Sequence, residues 1–251
     1  MAPSESPFMR IPCEIRLMIY DYLFDDKGHD VLEIRNTNPD SYHRSFHHRT
    51  GYRIVGQGRS RPTTYRLVTD AELHTSILRV TRKIHEEASH RLYSNHMFGF
   101  GKDVEAIVPF CSDLTPQTRC LIPGMSLFKR GSVYCRDYDR CEWSSVCEYI
   151  KEHMQIRTLR LVVEGGRPSL GWESLPRYSV ADFKTLSLVN YEPLEWVWEL
   201  LTIKGIQKLD IIPDIHHCPP SHSSAMAFFA AFSSSISTDF ADFLRMEMSE
   251  A

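Results

Sequence analysis

The chain has 251 residues, 42% hydrophobic and 24% charged, and its 29 basic and 32 acidic side chains leave a net charge of -3. That length allows one large domain or two small ones with a sizeable core. The near-neutral balance excludes bulk attraction to nucleic acid or to an anionic membrane. Met1 to Phe8 has neither the positive flank nor the apolar run of a secretory signal, and the apolar stretch Ala225 to Phe232 is too short to span a bilayer. Seven cysteines occur without a Cys-x-x-Cys pair, as free thiols in a reducing compartment would. The expected location is cytoplasmic or nuclear.

The first predicted element is a helix from Pro12 to Phe24. Pro12 suits the first turn, where a missing N–H costs nothing, and Glu14 suits the positive helix start. Ile15, Ile19 and Leu23 follow at four-residue steps, with Met18 and Tyr22 widening the stripe, so core packing alone would account for them. Val31 to Ile34 reads as a strand. From Ser41 to Thr69 there is no acidic residue. Arg44, Arg49, Arg53 and Arg59 lie there among Tyr42, Phe46, Tyr52 and Tyr65, while Gly51, Gly56, Gly58 and Pro62 argue against regular structure. Cations on phosphates with rings under bases is how single-stranded nucleic acid is held. The plainer alternative is a soluble inserted loop, and nucleic acid is not the favoured partner, because no nucleic-acid fold signature accompanies the loop.

The strongest periodic segment follows. Ile77, Val80, Ile84, Ala88 and Leu92 step along one helix face, Arg82 with Glu86 and Lys83 with Glu87 stand four apart, and Asn95 is a plausible stop. His96 to Phe100 reads as a short strand. The segment predicts a helix that docks one face on the helix after Pro12.

Ile11-Pro12-x-Glu14-Ile15-x-x-x-Ile19-x-x-x-Leu23 resembles the opening of an F-box, and Leu73 with Ile77 to Arg82 resembles its second and third helices. The tail from Arg82 through Asn95 is most similar to F-box-like proteins abundant in filamentous fungi. An insertion at about 25–69 splits the box, and His85 sits where many F-boxes carry Trp. The resemblance implies a helical module over 8–100 that docks on the small adaptor subunit of a cullin ubiquitin ligase. The positions matching the docking residues are Ile11, Pro12, Ile15, Ile19 and Leu23.

Residues 101–251 read as a second, α/β region. Ile122-x-x-Met125-x-Leu127 recurs as Ile156-x-x-Leu159-x-Leu161, Phe183-x-x-Leu186-x-Leu188 and Ile206-x-x-Leu209-x-Ile211. The last two positions of each alternate as strand residues on one face do. Trp143 to Met154 and Leu194 to Leu201 read as helices between them, which is how parallel strands are joined. The predicted class is α+β or α/β, with F-box-like helices leading into a partly parallel, leucine-rich-repeat-like strand–helix layer; a plain α/β layer without repeat ancestry fits equally. The segment Ser221 to Met248, with Phe229, Phe232, Ile236, Phe240 and Phe243 at helical spacing, is expected to cap the open end of the sheet, as two helices if Ser233-Ser-Ser235 breaks it.

No catalytic motif appears. His85 and His90 are five apart, about 140° around a helix, and cannot share a metal as His-Glu-x-x-His does. Cys135, Cys141 and Cys147 stand six apart in and after the loop from Lys129 to Cys141, wider than structural zinc pairs take. No metal or cofactor is expected. The expected function is a non-enzymatic adaptor with an unidentified client; the alternatives are nucleic-acid binding through the 41–69 loop, or an F-box-like fold of other role.

Overall fold

A computed structural model describes residues 6–25, 31–37, 49–55, 59–68, 73–130, 137–168, 176–218 and 223–249. Seven strands form one sheet in the order β2-β3-β1-β4-β5-β6-β7: β1 Val31–Thr37, β2 Arg49–Val55, β3 Arg59–Leu67, β4 Met97–Gly99, β5 Gly124–Lys129, β6 Thr158–Pro168 and β7 Lys208–Cys218. β1, β4, β5, β6 and β7 are mutually parallel, and the β2–β3 hairpin adds antiparallel to β1. The fold is thus mixed α/β with a mostly parallel sheet. The boundary expected near residue 100 runs through this one sheet, since Phe98 pairs with Met125.

The repeat template sets the register. Met125, Leu159 and Leu209 stand side by side across β5, β6 and β7, and Leu127, Leu161 and Ile211 form the next row. Its third copy is not a strand. Val180–Leu188 is helix α6, started by a capping box in which Ser179 and Asp182 satisfy each other's backbone N–H groups. Phe183 is buried, and Leu188, five positions on, falls off that face and is 83% exposed. The local cap outweighs the apolar spacing.

The helices cover one face of the sheet. Trp143 of α5 (Asp137–His153) and Trp196 of α7 (Glu195–Leu200) meet edge to face at 6.0 Å beneath the buried Lys129 of β5. Phe98 of β4 stacks on Tyr93 of α2 (Arg82–Asn95) and touches Phe110 of α3 (Ile107–Ser112). On the opposite face Glu33, Arg35, Ser126, Arg160, Val162, Asp210 and Asp214 are half-buried and Ile212 is exposed. Many of these charges pair within the face, as in Arg160 with Asp210 at 3.2 Å and Lys102 with Asp214 at 3.7 Å. The short helix α4 (Pro116–Arg119) leads into β5.

The C-terminal segment is two helices, α8 (Ser224–Ser235) and α9 (Asp239–Ser249), breaking where the three serines end. It does not close the end of the sheet beyond β7. α8 lies over β6 on the covered face, where a Cβ on Gly165 would meet Ser233 Oγ and Ile236. Ser233 accepts from the Gly166 N–H at 2.8 Å and Ser235 from the Tyr178 N–H at 2.9 Å. The serines therefore bind α8 to β6 and to the segment that leads into α6, as well as ending the helix. Phe183, Phe232, Phe240 and Phe243 pack into one aromatic cluster below.

The 41–69 segment was expected to lack regular structure, and its described part is the β2–β3 hairpin. Pro62 is tolerated because it faces only Tyr52 of β2. β1 pairs with β3 from Thr64 onward, so Pro62 owes no second neighbour a hydrogen bond.

Candidate docking site on the paired N-terminal helices

The chain enters through a 3-10 turn, Pro7–Arg10, then Ile11 and Pro12, and continues as α1, Cys13–Leu23. A second 3-10 turn, Thr75–Arg79, returns from the end of α1, where the His74 N–H donates to the Leu23 carbonyl, toward the start of α2. The helix expected from Ile77 onward is broken there. Thr81 caps α2, its hydroxyl accepting from the Ile84 N–H at 3.2 Å, and Val80 is 59% exposed instead of joining the stripe. Ile84, Ala88 and Leu92 are buried as expected, α2 ends at Asn95, and β4 follows.

α1 packs on α2, and the two run parallel. Arg16 meets Glu87, Asp21 meets Arg91 at 3.5 Å and Asn95 at 3.3 Å, and His96 meets the Phe24 carbonyl at 3.0 Å, so partners advance together along both chains. The expected contact face is corrected. Arg16 and Tyr20, one turn apart, turn toward α2 and are buried, followed by Phe24. The Ile15-centred stripe is rotated outward: Ile15 is 46%, Met18 64% and Tyr22 83% exposed. Of the five candidate residues, Leu23 packs against the core, Ile11 and Ile19 are half-buried, and Pro12 and Ile15 are exposed.

A buried arginine needs a carboxylate, and Glu87 supplies it. Arg16 Nε donates to Oε2 at 2.9 Å and Nη2 to Oε1 at 2.6 Å, a two-pronged pair. Tyr20 adds its hydroxyl to Oε2 at 3.1 Å. Glu87 therefore serves α1 in place of the Lys83 pair expected along α2, whereas Arg82 and Glu86 do pair, at 3.0 Å. The Arg16 guanidinium holds the Glu87 carboxyl below its ordinary range. Burial first, and the bond to Glu87 second, push the Tyr20 phenol up to about 12. The remaining Arg16 nitrogen donates to the Ile11 carbonyl at 2.6 Å. One side chain thus fixes the Ile11–Pro12 turn to both helices. Hydrophobic periodicity missed this trio; the available signal was a charge and a Tyr at i, i+4 beside an apolar stripe.

Beside Tyr22 the helix ends leave a cleft of about 380 Å³ lined by Asp21, Tyr22, Phe24, Asp25, Arg91, Asn95 and His96. Both His96 ring nitrogens reach carbonyl oxygens, those of Leu92 and Phe24, tying the two C-termini together.

A family model described as a domain of unknown function, DUF7730, matches residues 2–183. The chain belongs to this family. No curated protein and no solved structure compared with it matches. The DUF7730 match takes in the paired helices and the sheet through β6 and ends inside α6, so α7, β7, α8 and α9 of this DUF7730 chain lie beyond it.

Three of the other candidate residues stand at register positions of one face of the β2–β3 hairpin. Arg49 and Arg53 lie on β2 and Arg59 on β3, with Arg53 opposite Arg61; Arg44 is outside the described residues. Tyr65 packs edge to face on Phe110 and bonds to Asp113, which removes it from any base-stacking set. Cys141 and Cys147 both fall on α5, which begins within the expected loop, while Cys135 lies outside the described residues. Among the described residues no three His, Cys, Asp or Glu side chains stand close enough to hold a metal, and no helix is long and apolar enough to cross a membrane.

Proposed function

We propose that this protein is a non-enzymatic interaction adaptor of the cytoplasm or nucleus, whose paired N-terminal helices dock on the small adaptor subunit of a cullin ubiquitin ligase. The observation that carries this reading is the exposed stripe of Ile15, Met18 and Tyr22 beside a turn that Arg16 holds rigid. Residues at i, i+3 and i+7 make one continuous apolar strip, which water penalises and a partner would cover. A few such side chains dominate helix-face recognition. The F-box resemblance supplies the partner class, with Ile11, Pro12, Ile15, Ile19 and Leu23 as the matching positions. The client binds elsewhere on the α/β body.

The test is co-purification with the recombinant adaptor subunit, comparing wild type with Ile11→Asp and Pro12→Ala. Wild-type capture lost in both folded variants supports the reading. A wild-type chain that captures no adaptor refutes it, and folded variants that bind equally well refute the residue assignment.

A further inference from the structure

We propose that Glu87 and Arg16 are positioning residues for docking. Through them α2 sets the Ile11–Pro12 turn beside the exposed stripe, and the partner responds to that placement without touching either residue. The inference rests on the docking reading above and adds what controls that site.

The turn has no local fastening. Pro12 stands at the N-cap of α1, where it has neither a side-chain oxygen nor an N–H to offer, and Ser6 makes no cap bond to the 3-10 turn before it. The helix ladder begins at Pro12, whose carbonyl accepts from the Ile15 and Arg16 N–H groups, both at 3.1 Å. The Ile11 carbonyl falls outside that ladder. Arg16 reaches back to it from within the helix at 2.6 Å, and through the same nitrogen to the Met9 carbonyl at 3.5 Å. Phe8 of the 3-10 turn rests against the Tyr20 ring, with 6.1 Å between centroids. Both supports, Arg16 and Tyr20, meet on the Glu87 carboxylate. The Arg16 side chain is 6% and the Glu87 side chain 16% exposed, so neither is itself a contact surface.

A turn held in one place presents Ile11 and Pro12 already arranged beside Ile15, and a partner then binds without ordering it. Released, the turn has backbone freedom that docking must remove. Loss of the Glu87 carboxylate frees the Arg16 fork, so a change on α2 acts on affinity at the start of α1. Because the two side chains work through one connection, their effects on binding should not add.

The experiment measures, for the full chain, the dissociation constant of the purified adaptor subunit by calorimetry, the hydrogen exchange of the Ile11 amide and the melting midpoint. The variants are Arg16→Lys, Glu87→Gln, the two combined, the swap Arg16→Glu with Glu87→Arg, and Ile15→Asp on the stripe itself. Arg16→Lys keeps the charge but has one nitrogen for three acceptors. It and Glu87→Gln should each weaken binding on the order of tenfold and speed Ile11 exchange, and the combination should weaken binding no further. The swap restores opposite charges, yet a carboxylate at position 16 has no N–H for the Ile11 carbonyl. It should recover the melting midpoint relative to the single changes without recovering affinity, an outcome that a merely structural pair would not give. A swap that recovers affinity as well, or additive losses in the combination, overturns the positioning role. Folded Arg16→Lys and Glu87→Gln that bind as wild type does, while Ile15→Asp fails, overturn it too and leave the docking reading standing. A wild-type chain that does not bind the subunit overturns both.

Discussion

Arg16 and Glu87, on helices separated by the whole β2–β3 hairpin, meet in a two-pronged ion pair at 2.9 and 2.6 Å. Through a third nitrogen the same arginine holds the Ile11 carbonyl. Removing one partner strands the other without a counter-charge in a largely dry site, which costs more than the intact pair contributes. Glu87→Ala is therefore expected to lower the melting midpoint by several degrees. Glu86→Ala, which breaks only the exposed Arg82 pair, should leave it nearly unchanged. Paired thermal melts of the two variants make the comparison.

The pH dependence follows from the same trio. Glu87 titrates lower in the folded chain than its ordinary value of 4.5, so its contribution is present above that value and is lost as pH falls through the folded one. Tyr20 is raised from 10.0 to about 12, so its contribution is present below 10 and is lost as pH climbs toward 12. Denaturation midpoints should fall at both extremes. In Glu87→Gln the acid-side fall attributable to this site should disappear; an identical acid limb would refute the assignment.

Thr81 is the hinge at which the 3-10 turn gives way to α2. Thr81→Ala removes an N-cap hydrogen bond and should cost about 1 kcal/mol, with Thr81→Ser close to wild type. Urea unfolding at constant m-value measures it.

Phe183 is fully buried and touches Phe232, Phe240 and Phe243. Phe183→Ala should cost about 3–5 kcal/mol, whereas Leu188→Ala, on the same helix but exposed, should cost under about 0.5 kcal/mol. Equal losses from the two would contradict the placement of α6.

Thiol reactivity tests the burial of the described cysteines. Cys13 and Cys120 are exposed and should react with a disulfide reagent in the native state. Cys111, whose thiol burial pushes up to about 12, and Cys147, pushed up by burial as well, should react only on unfolding. Mass spectrometry of singly labelled peptides distinguishes the two groups.

Much of the fold is written locally. The 3.6-residue period of Ile84, Ala88 and Leu92 and the Met125–Leu127, Leu159–Leu161 and Leu209–Ile211 pairs each specify an element and its buried face, because burial of apolar surface follows spacing. The same spacing misleads at Phe183 to Leu188, where the Ser179–Asp182 cap favours helix. In 41–69 it was the turn residues that misled. Gly51 and Pro62 lie inside paired strands, since strand pairing depends on a neighbour that a local reading does not include.

The sequence by itself determined that two amphipathic helices, the first with a proline-led start, accompany the strands of a partly parallel sheet. Only the tertiary structure decided which face of the first helix is hidden. An arginine joins the buried face when a carboxylate comes to meet it from a distant part of the chain. That meeting turns Arg16 and Tyr20 inward and leaves Ile15, Met18 and Tyr22 in solvent. Apolar periodicity carries no information about such a pair, because its energy depends on the distance between two charges and not on the pattern around either one.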